Sequence, residues 1–533
     1  MAATTKTFIA NIRGIQGIQG IQGVQGLAGV NGVENDTAVA GYISTAGTSA
    51  TKTALTTKID GALVPYAPSP RSFTGTLPAA EFGWMATYGM VPSIRTGRDG
   101  SVVGSVGITP EALFDAQSTA RANPTVQYWV APTGNDSTGT GTSGSPWRSI
   151  RKAIQQINLS TAGSTGRINL NCSDPYAYGH EYGYETTTAA PGFDSPTRSI
   201  ALVATNGRAF VGPWLNLDTA APSGTYPNCS VIAYSDAAKP PMRVVDRSWS
   251  DADGVGRDLV NVASAAGCNS TPGSWYFTGT ALYMNRTDSL TTTNQNTWAL
   301  LYKSNIAYGT TTQSDFWFEG IDFVGGRGTA GVAIRTGTAA LQRCVIKDCT
   351  VSYAGGVGST DTNGFAASTS GFNGLMAFFD CHTKGSYKDG FNWHKPGSLT
   401  ATRVVTVNCS DVDSGALGDG TSCNGWTLHE EVEGVDVAGD YRRSRGGTVH
   451  NINTSKAYML GTLSVDDAGD VAAGGTIAPT QFKVGNTAQL WLERCIASGN
   501  TGNLAYDVNV GAAIRLRTPY PTALGSSGTV GSW

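Results

Sequence analysis

The chain has 533 residues, of which only 14% are charged, with a formal net charge of -3 and glycine at 69 positions. It has no Lys/Arg run, so it lacks both the basic stripe of a nucleic-acid interface and the polybasic patch that an anionic membrane attracts. No stretch approaches the roughly 20 apolar residues of a bilayer-spanning helix, and the scarcity of Glu and Lys excludes a mainly helical protein.

The first predicted element is periodic. From Gly14 to Gly32 every third residue is glycine, in the run GIQGIQGIQGVQGLAGVNG. Only glycine fits at the crowded axis of a collagen triple helix, whereas a flexible linker has no reason to hold this phase. Gly14, Gly17, Gly20, Gly23, Gly26, Gly29 and Gly32 therefore predict a three-chain stalk over 14–33, about 60 Å long at ~3.1 Å per residue. The row Ile15, Ile18, Ile21, Val24, Leu27 and Val30 faces outward in such a stalk and predicts a sheath of other proteins.

Residues 34–66 predict a short trimeric helical segment. Asp36 caps a turn carrying Val39 and Ile43, and Ser49 caps a helix with Leu55, Ile59 and Leu63 on one side. Pro65, Pro68 and Pro70 end it. Residues 67–124 are punctuated by glycine and read as a small β-rich adaptor.

At 125 the pattern sharpens. Tyr128, Trp129 and Val130 predict a strand, and a polar loop follows. Pro146 and Trp147 then open an amphipathic helix with Ile150, Ala153, Ile154 and Ile157 on one face. Beyond it come short apolar runs, among them SDFWFEGIDFVGG, LQRCVIKDCTVSYAGG, GLMAFFDCHTKGS and TRVVTVNCSDVDSGA. Cys344, Cys381, Cys409 and Cys495 occupy matching places in these runs, which predicts equivalent positions in successive coils. With an odd total of nine cysteines and no CxxC, they read as free thiols stacked inside a solenoid rather than as disulfides or metal ligands.

Three stretches share one form: DTNGF (Asp361 to Phe365), KDGFNWH (Lys388 to His394) and GDGTSCNGWTLHEE (Gly418 to Glu431). Stacked coils would bring Asp389, His394, Asp419, His429 and Glu430 to one face. Three readings stand side by side. Asp389 with Asp419, or Asp419 with Glu430, can form the carboxyl pair of a glycoside hydrolase, and His394 or His429 can serve as the base of a lyase. Phe391, Trp393, His394 and Trp426 can line a sugar-binding groove. Asp-Gly and Asn-Gly are also the ordinary chemistry of tight turns. In DADGVGRD, Asp251, Asp253 and Asp258 offer carboxylates for Ca2+, although Val255 stands where an oxygen ligand belongs. Walker, GxSxG, HExxH and zinc patterns are absent, so no cofactor is expected.

The stretch Tyr128–Ile157 resembles the N-terminal cap of pectate-lyase-like right-handed β-helices. Together with the Gly14–Gly32 run, the segment DTAVAGYISTAGTSATKTAL and the Cys-marked coils, it makes the chain similar to bacteriophage tail fibres and tailspikes, in particular minor tail proteins of actinobacteriophages. That resemblance implies a mainly β homotrimer with a right-handed parallel β-helix over 125–504 and a C-terminal segment over 505–533. It further implies that residues 1–13 attach to other tail or baseplate proteins, that the chain sits on the distal tail of the virion after synthesis in the host cytoplasm, and that it meets a host surface glycan. The alternative within the same family is a depolymerase that hydrolyses or eliminates host polysaccharide.

Overall fold

The computed structural model describes residues 71–97, 101–172 and 196–532, apart from 289, 294–295, 303–305, 311–313, 329, 337–340, 360–361, 368–371, 396, 398, 416, 418–422, 467–479, 500–503 and 518–528. The glycine run Gly14–Gly32 and the segment 34–66 lie outside the described residues. The chain divides into a smaller unit, 1–73 with 95–103, and a larger one, 74–94 with 104–533. In the described part of the smaller unit, Gly97 N–H donates to Ser101 O at 2.7 Å and Thr96 Oγ1 to Arg71 O at 3.4 Å.

The larger unit is mainly β and is built on three large parallel sheets of twelve, eight and eight strands. The chain visits the sheets in rotation. Gln342–Lys347 lies in sheet 1, Thr350–Ser352 in sheet 2 and Asn363–Ala367 in sheet 3. The next circuit is Gly374–Phe379, His382–Lys384 and Phe391–Trp393, and the one after is Thr402–Val407, Ser410–Val412 and Trp426–Leu428. Each strand pairs in parallel with its counterpart one circuit on, as in Cys344 with Met376 and Met376 with Val404. Parallel strands joined by corners rather than helices stack as coils, and each coil buries its apolar side against the next.

The corners repeat too. Between sheets 1 and 2 a single residue turns the chain at positive φ: Asp348 (49°), Asp380 (51°), Asn408 (54°), Ala438 (57°) and Arg494 (54°), with Gly320 and Gly461 in the same place. Asn and Asp tolerate this conformation best; Ala and Arg here are held by coil pairing on both sides. The residue after each corner points inward, which puts Cys349, Cys381, Cys409 and Cys495 in the buried ladder. This corrects the sequence reading at one rung. Cys344 sits within a sheet-1 strand, and its equivalent at the corner is Cys349. All nine thiols are buried and free.

Sheet 1 is apolar on both faces, which is why its strands read as continuous runs such as LMAFF and AYML. Its inner side holds Phe316, Phe318, Met376, Phe378 and Leu490. Its outer side is covered by residues 74–94 and 104–115: Phe82 meets Trp491 edge-on at 5.5 Å, Phe114 meets Trp317 at 5.5 Å, and Thr76 N–H donates to Glu493 at 3.0 Å. These residues, expected to belong to an adaptor, thus strap the body itself. At the start of the coils lie the strand Val126–Val130 and the helix Ile150–Asn158. Ile150, Ala153, Ile154 and Ile157 are buried in the same core as the first coils. The helix begins later than the sequence suggested. Ser149 is its cap, accepting from Lys152 N–H at 3.1 Å, while Trp147 bridges back to Val130 and packs on Tyr128.

One coil carries an excursion. After Ala209–Val211 in sheet 2 the chain leaves and returns at Ile306–Thr310 in sheet 3. In between it forms a five-stranded and a four-stranded sheet. Ile232, Trp275, Leu282 and Met284 of the first pack on Val244 and Ala299 of the second, so the pair is a small sandwich. Its other face, Trp214, Met242, Trp298 and Leu300, packs on Val324, Tyr353 and Val412 of the coils. Arg243 fixes the join. It pairs with Asp258 at 2.6 Å, donates to Gly385 O at 2.6 Å and lies over the Tyr353 ring. No helix of the described residues is long and apolar enough to cross a membrane.

Candidate functional site

The repeated NGF, DGF and NGW motifs all stand at the start of sheet 3. Phe391, Trp393 and Trp426, predicted as sugar anchors, are each 0% exposed. Phe365 stacks on Phe391 at 5.5 Å, Phe391 on Trp393 at 5.6 Å, and Trp393 meets Trp426 edge-on at 5.5 Å. The aromatic column is solenoid core, so none of these rings can receive a sugar from solvent. The physical reason is alternation: Phe391 and Trp393 in one strand, and Trp426 and Leu428 in the next, are two residues apart and share the inward face.

The residue before each glycine forms a second ladder. Asn363 Oδ1 accepts from Asp389 N–H at 3.0 Å, Asp389 Oδ1 from Asn424 N–H at 2.7 Å, and Asn424 Oδ1 from Gly447 N–H at 2.9 Å. Asp389 is thus a rung that satisfies the backbone of the next coil. Burial pushes its pKa up to about 6, opposed by the Asn424 N–H and by Thr427. Asp419 lies outside the described residues, as do both carboxyl pairs that contain it. The glycines are required by close approach: a side chain at Gly390 would run into Asp411 and Thr383. Gly390→Ala should therefore lose about 2–4 kcal/mol of stability in urea denaturation, by forcing neighbouring coils apart.

His394, His429 and Glu430 do come together, at the corner where sheet 3 turns toward sheet 1. The two imidazoles stack at 4.0 Å with 14° between planes, and His394 Nδ1 lies 3.1 Å from Glu430 Oε2. Lys395 N–H donates to the same oxygen at 3.1 Å, and Lys395 Nζ pairs with Glu431 at 2.6 Å. Burial would raise Glu430, but the His394 hydrogen bond, its charge and the Lys395 N–H together hold it below the ordinary range. Burial and then the neighbouring His394 push His429 down to about 4. At neutral pH the corner therefore holds a part-exposed Glu430 carboxylate beside a largely buried, neutral His429 imidazole. The ligand atoms of the three residues lie within 4.8 Å of one another. His394 Nδ1 is already turned to the Glu430 carboxylate, so the observed arrangement suits proton sharing between them.

The acidic loop is also resolved differently from expectation. Asp251 and Asp253 converge, but on a guanidinium: Arg443 reaches Asp251 at 2.7 Å, Asp253, and Asp413 at 2.7 Å. Asp258 points elsewhere, to Arg243. Asp251 Oδ1 is used by Asp253 N–H and Val255 N–H, both at 2.9 Å. The loop is a turn pinned to the coils by arginine, and the charge proposed for Ca2+ is supplied by the chain itself.

A site absent from the sequence reading lies on the sandwich. A cleft of about 350 Å³ is lined by Pro241, Tyr276, Phe277, Tyr302 and Val357, with Asn261 among its polar groups. Tyr276 and Phe277 come from the strand Ser274–Phe277, in which Trp275 faces the sandwich core and Tyr276 the other way. The Arg327 guanidinium lies 3.5 Å over the Tyr302 ring and stiffens that wall. Its trace in the sequence is SWYF followed at a hairpin distance by ALYM, a run that resembles those of the coils and does not by itself mark a cleft.

No protein-family model and no curated protein matches the chain. Two solved structures are similar in part. One, described as the complex structure of XylC with xylose, is 11% identical with a TM-score of 0.46, covering 73% of this chain and 68% of that one. Another, described as a glycoside hydrolase, is 11% identical with a TM-score of 0.32, covering 76% and 96%.

Proposed function

We propose that the chain is one subunit of a homotrimeric phage tail fibre or tailspike that grips a host surface glycan. In this reading the Gly14–Gly32 run joins three chains, residues 1–13 engage tail or baseplate proteins, and the coils form a right-handed parallel β-helix that carries the sandwich outward. The observation that supports glycan recognition is the cleft. Aromatic faces beside a few polar groups, in a concavity of this size, are how proteins hold the apolar face and the hydroxyl edge of a sugar. Losing one such ring removes about 1–1.5 kcal/mol. Tyr276→Ala should thus weaken adsorption of the purified protein to host cells or envelope polysaccharide about tenfold, without changing its native mass. Unchanged adsorption by Tyr276→Ala and Tyr302→Ala together would sink the reading. The depolymerase alternative draws on the solvent-facing Glu430 carboxylate beside His394. It predicts reducing-end or unsaturated sugar release from that polysaccharide, abolished in Glu430→Gln.

A further inference from the structure

The ladder thiols of the coils aim at carbonyl oxygens. Cys349 Sγ faces Lys347 O at 3.3 Å, Cys381 Sγ faces Ile346 O at 3.4 Å and Cys495 Sγ faces Met459 O at 3.3 Å. In the sandwich Cys268 Sγ likewise lies 3.5 Å from Ser274 O, but here a sulfur-to-sulfur contact stands beside it. Cys229 and Cys268 face each other with sulfurs 3.6 Å apart, and both are buried, at 2% and 0% exposure.

Their frame is fixed on both sides. Asn228 N–H donates to Asn269 Oδ1 at 3.0 Å and Asn228 Nδ2 to Asn269 O at 3.0 Å, so the residues flanking the two cysteines are already tied. Asn285 Nδ2 holds Cys268 O at 2.8 Å. Cys229 precedes the strand Ser230–Ala233, and Cys268 lies in the helix Ala265–Ser270. Side-chain rotation closes a van der Waals sulfur contact to a bond of about 2.0 Å, provided the backbones are held as they are here.

We propose that Cys229 and Cys268 are a disulfide-forming pair, a covalent staple of the sandwich that forms once the protein leaves a reducing environment. The step is a two-electron oxidation. Both thiols lose their protons, a sulfur–sulfur bond forms, and the electrons pass to a low-molecular-weight disulfide, which is cleaved to two thiols. The bridge would tie strand Ser230–Ala233 to helix Ala265–Ser270. That strand pairs with Ala281–Asn285, which pairs in turn with the strand bearing Tyr276, so the staple underlies the aromatic cleft. Burial pushes the Cys229 thiol up to about 12, so the folded pair reacts slowly and the bond, once made, is shielded from reductants.

The test uses the full chain. Purified protein is incubated with oxidised glutathione, then denatured in iodoacetamide without reductant and mapped by peptide mass. The expected result is one cross-linked peptide pair containing Cys229 and Cys268, lighter by two hydrogens, with the other cysteines alkylated. The oxidised protein should melt roughly 5 °C or more above the same protein in reductant, a gain missing from Cys268→Ser. Alkylation of all the cysteines, or a bridge through a ladder thiol instead, would overturn the proposal. The mapping on unmutated protein decides the matter even if the variant folds poorly. The staple is independent of glycan binding, so a failure of either reading leaves the other standing.

Discussion

Asp436→Ala is expected to destabilise the coils by about 3–5 kcal/mol, among the largest effects of any single exchange in the body. Asp436 points into the solenoid from strand Glu433–Val437 and is fully buried. Its carboxyl accepts from Thr406 Oγ1 at 2.6 Å, Tyr441 OH at 2.8 Å, Gly439 N–H at 3.2 Å and Thr462 Oγ1. Alanine would leave three hydroxyls and an amide in a medium without water, and each unmatched group costs about 1–3 kcal/mol before the hydroxyls find new partners. Coils couple mainly to their neighbours, so the loss should be regional. Hydrogen exchange should quicken across strands Thr402–Val407, Glu433–Val437 and Lys456–Leu460 and leave Val126–Val130 protected. An Asp436→Ala protein with unchanged urea midpoint and exchange would show that the network carries no stability.

Between about pH 6.5 and 8 the protein should lose stability and then level off, and Asp411→Asn should remove most of that loss. Asp411 also points inward and is fully buried; it accepts from Thr383 Oγ1 at 2.6 Å and Ser414 Oγ at 2.7 Å. Burial, helped by the charge of Asp413, pushes it up to about 8 against these hydrogen bonds. A raised carboxyl favours folding while it is protonated. Its contribution is therefore complete below the pH where a free aspartate ionises and is lost as pH rises through 8, at up to ~1.4 kcal/mol per pH unit. Below pH 6.5 an opposite trend enters. Burial holds His429 near 4 and His450 near 3, so their stabilisation is present above the free histidine value and fades as pH falls toward 4. Melting temperatures from pH 4 to 9 should give a broad top, a decline between about pH 6.5 and 8, and a plateau above it. A decline of equal slope in Asp411→Asn would refute the assignment.

These two aspartates also mark where the sequence was hard to read. VVTV and GVDVAGDY look like strands with polar residues turned to solvent, yet Thr406, Asp436 and Tyr441 face the interior. Alternation tells that two faces differ, but not that an interior stretch is polar and satisfied from the next coil. The same limit explains NGF, DGF and NGW. Their spacing was legible, but glycine beside an aromatic fits a groove and a ladder equally well until the inward direction is known. The helix with Ile150, Ile154 and Ile157 was legible because its 3.6-residue period leaves one face apolar. The cysteine ladder was displaced by one rung because Cys344 and Cys349 share a strand and its corner. The sandwich was hidden because its short antiparallel strands carry the same apolar runs as the coils, and only pairing separates them.

That sandwich is spliced into the body in an unusual way. The strands on either side of it, Ala209–Val211 and Ile306–Thr310, pair directly with Ile321–Phe323 and Val332–Thr336 of the next coil. The coil register therefore does not depend on the length or content of what lies between. A gene for this chain could trade one such cassette for another by recombination, provided the incoming one keeps an apolar underside like Trp214 and Trp298 to seat on Tyr353. The cassette and the coils that hold it could then diversify on separate schedules.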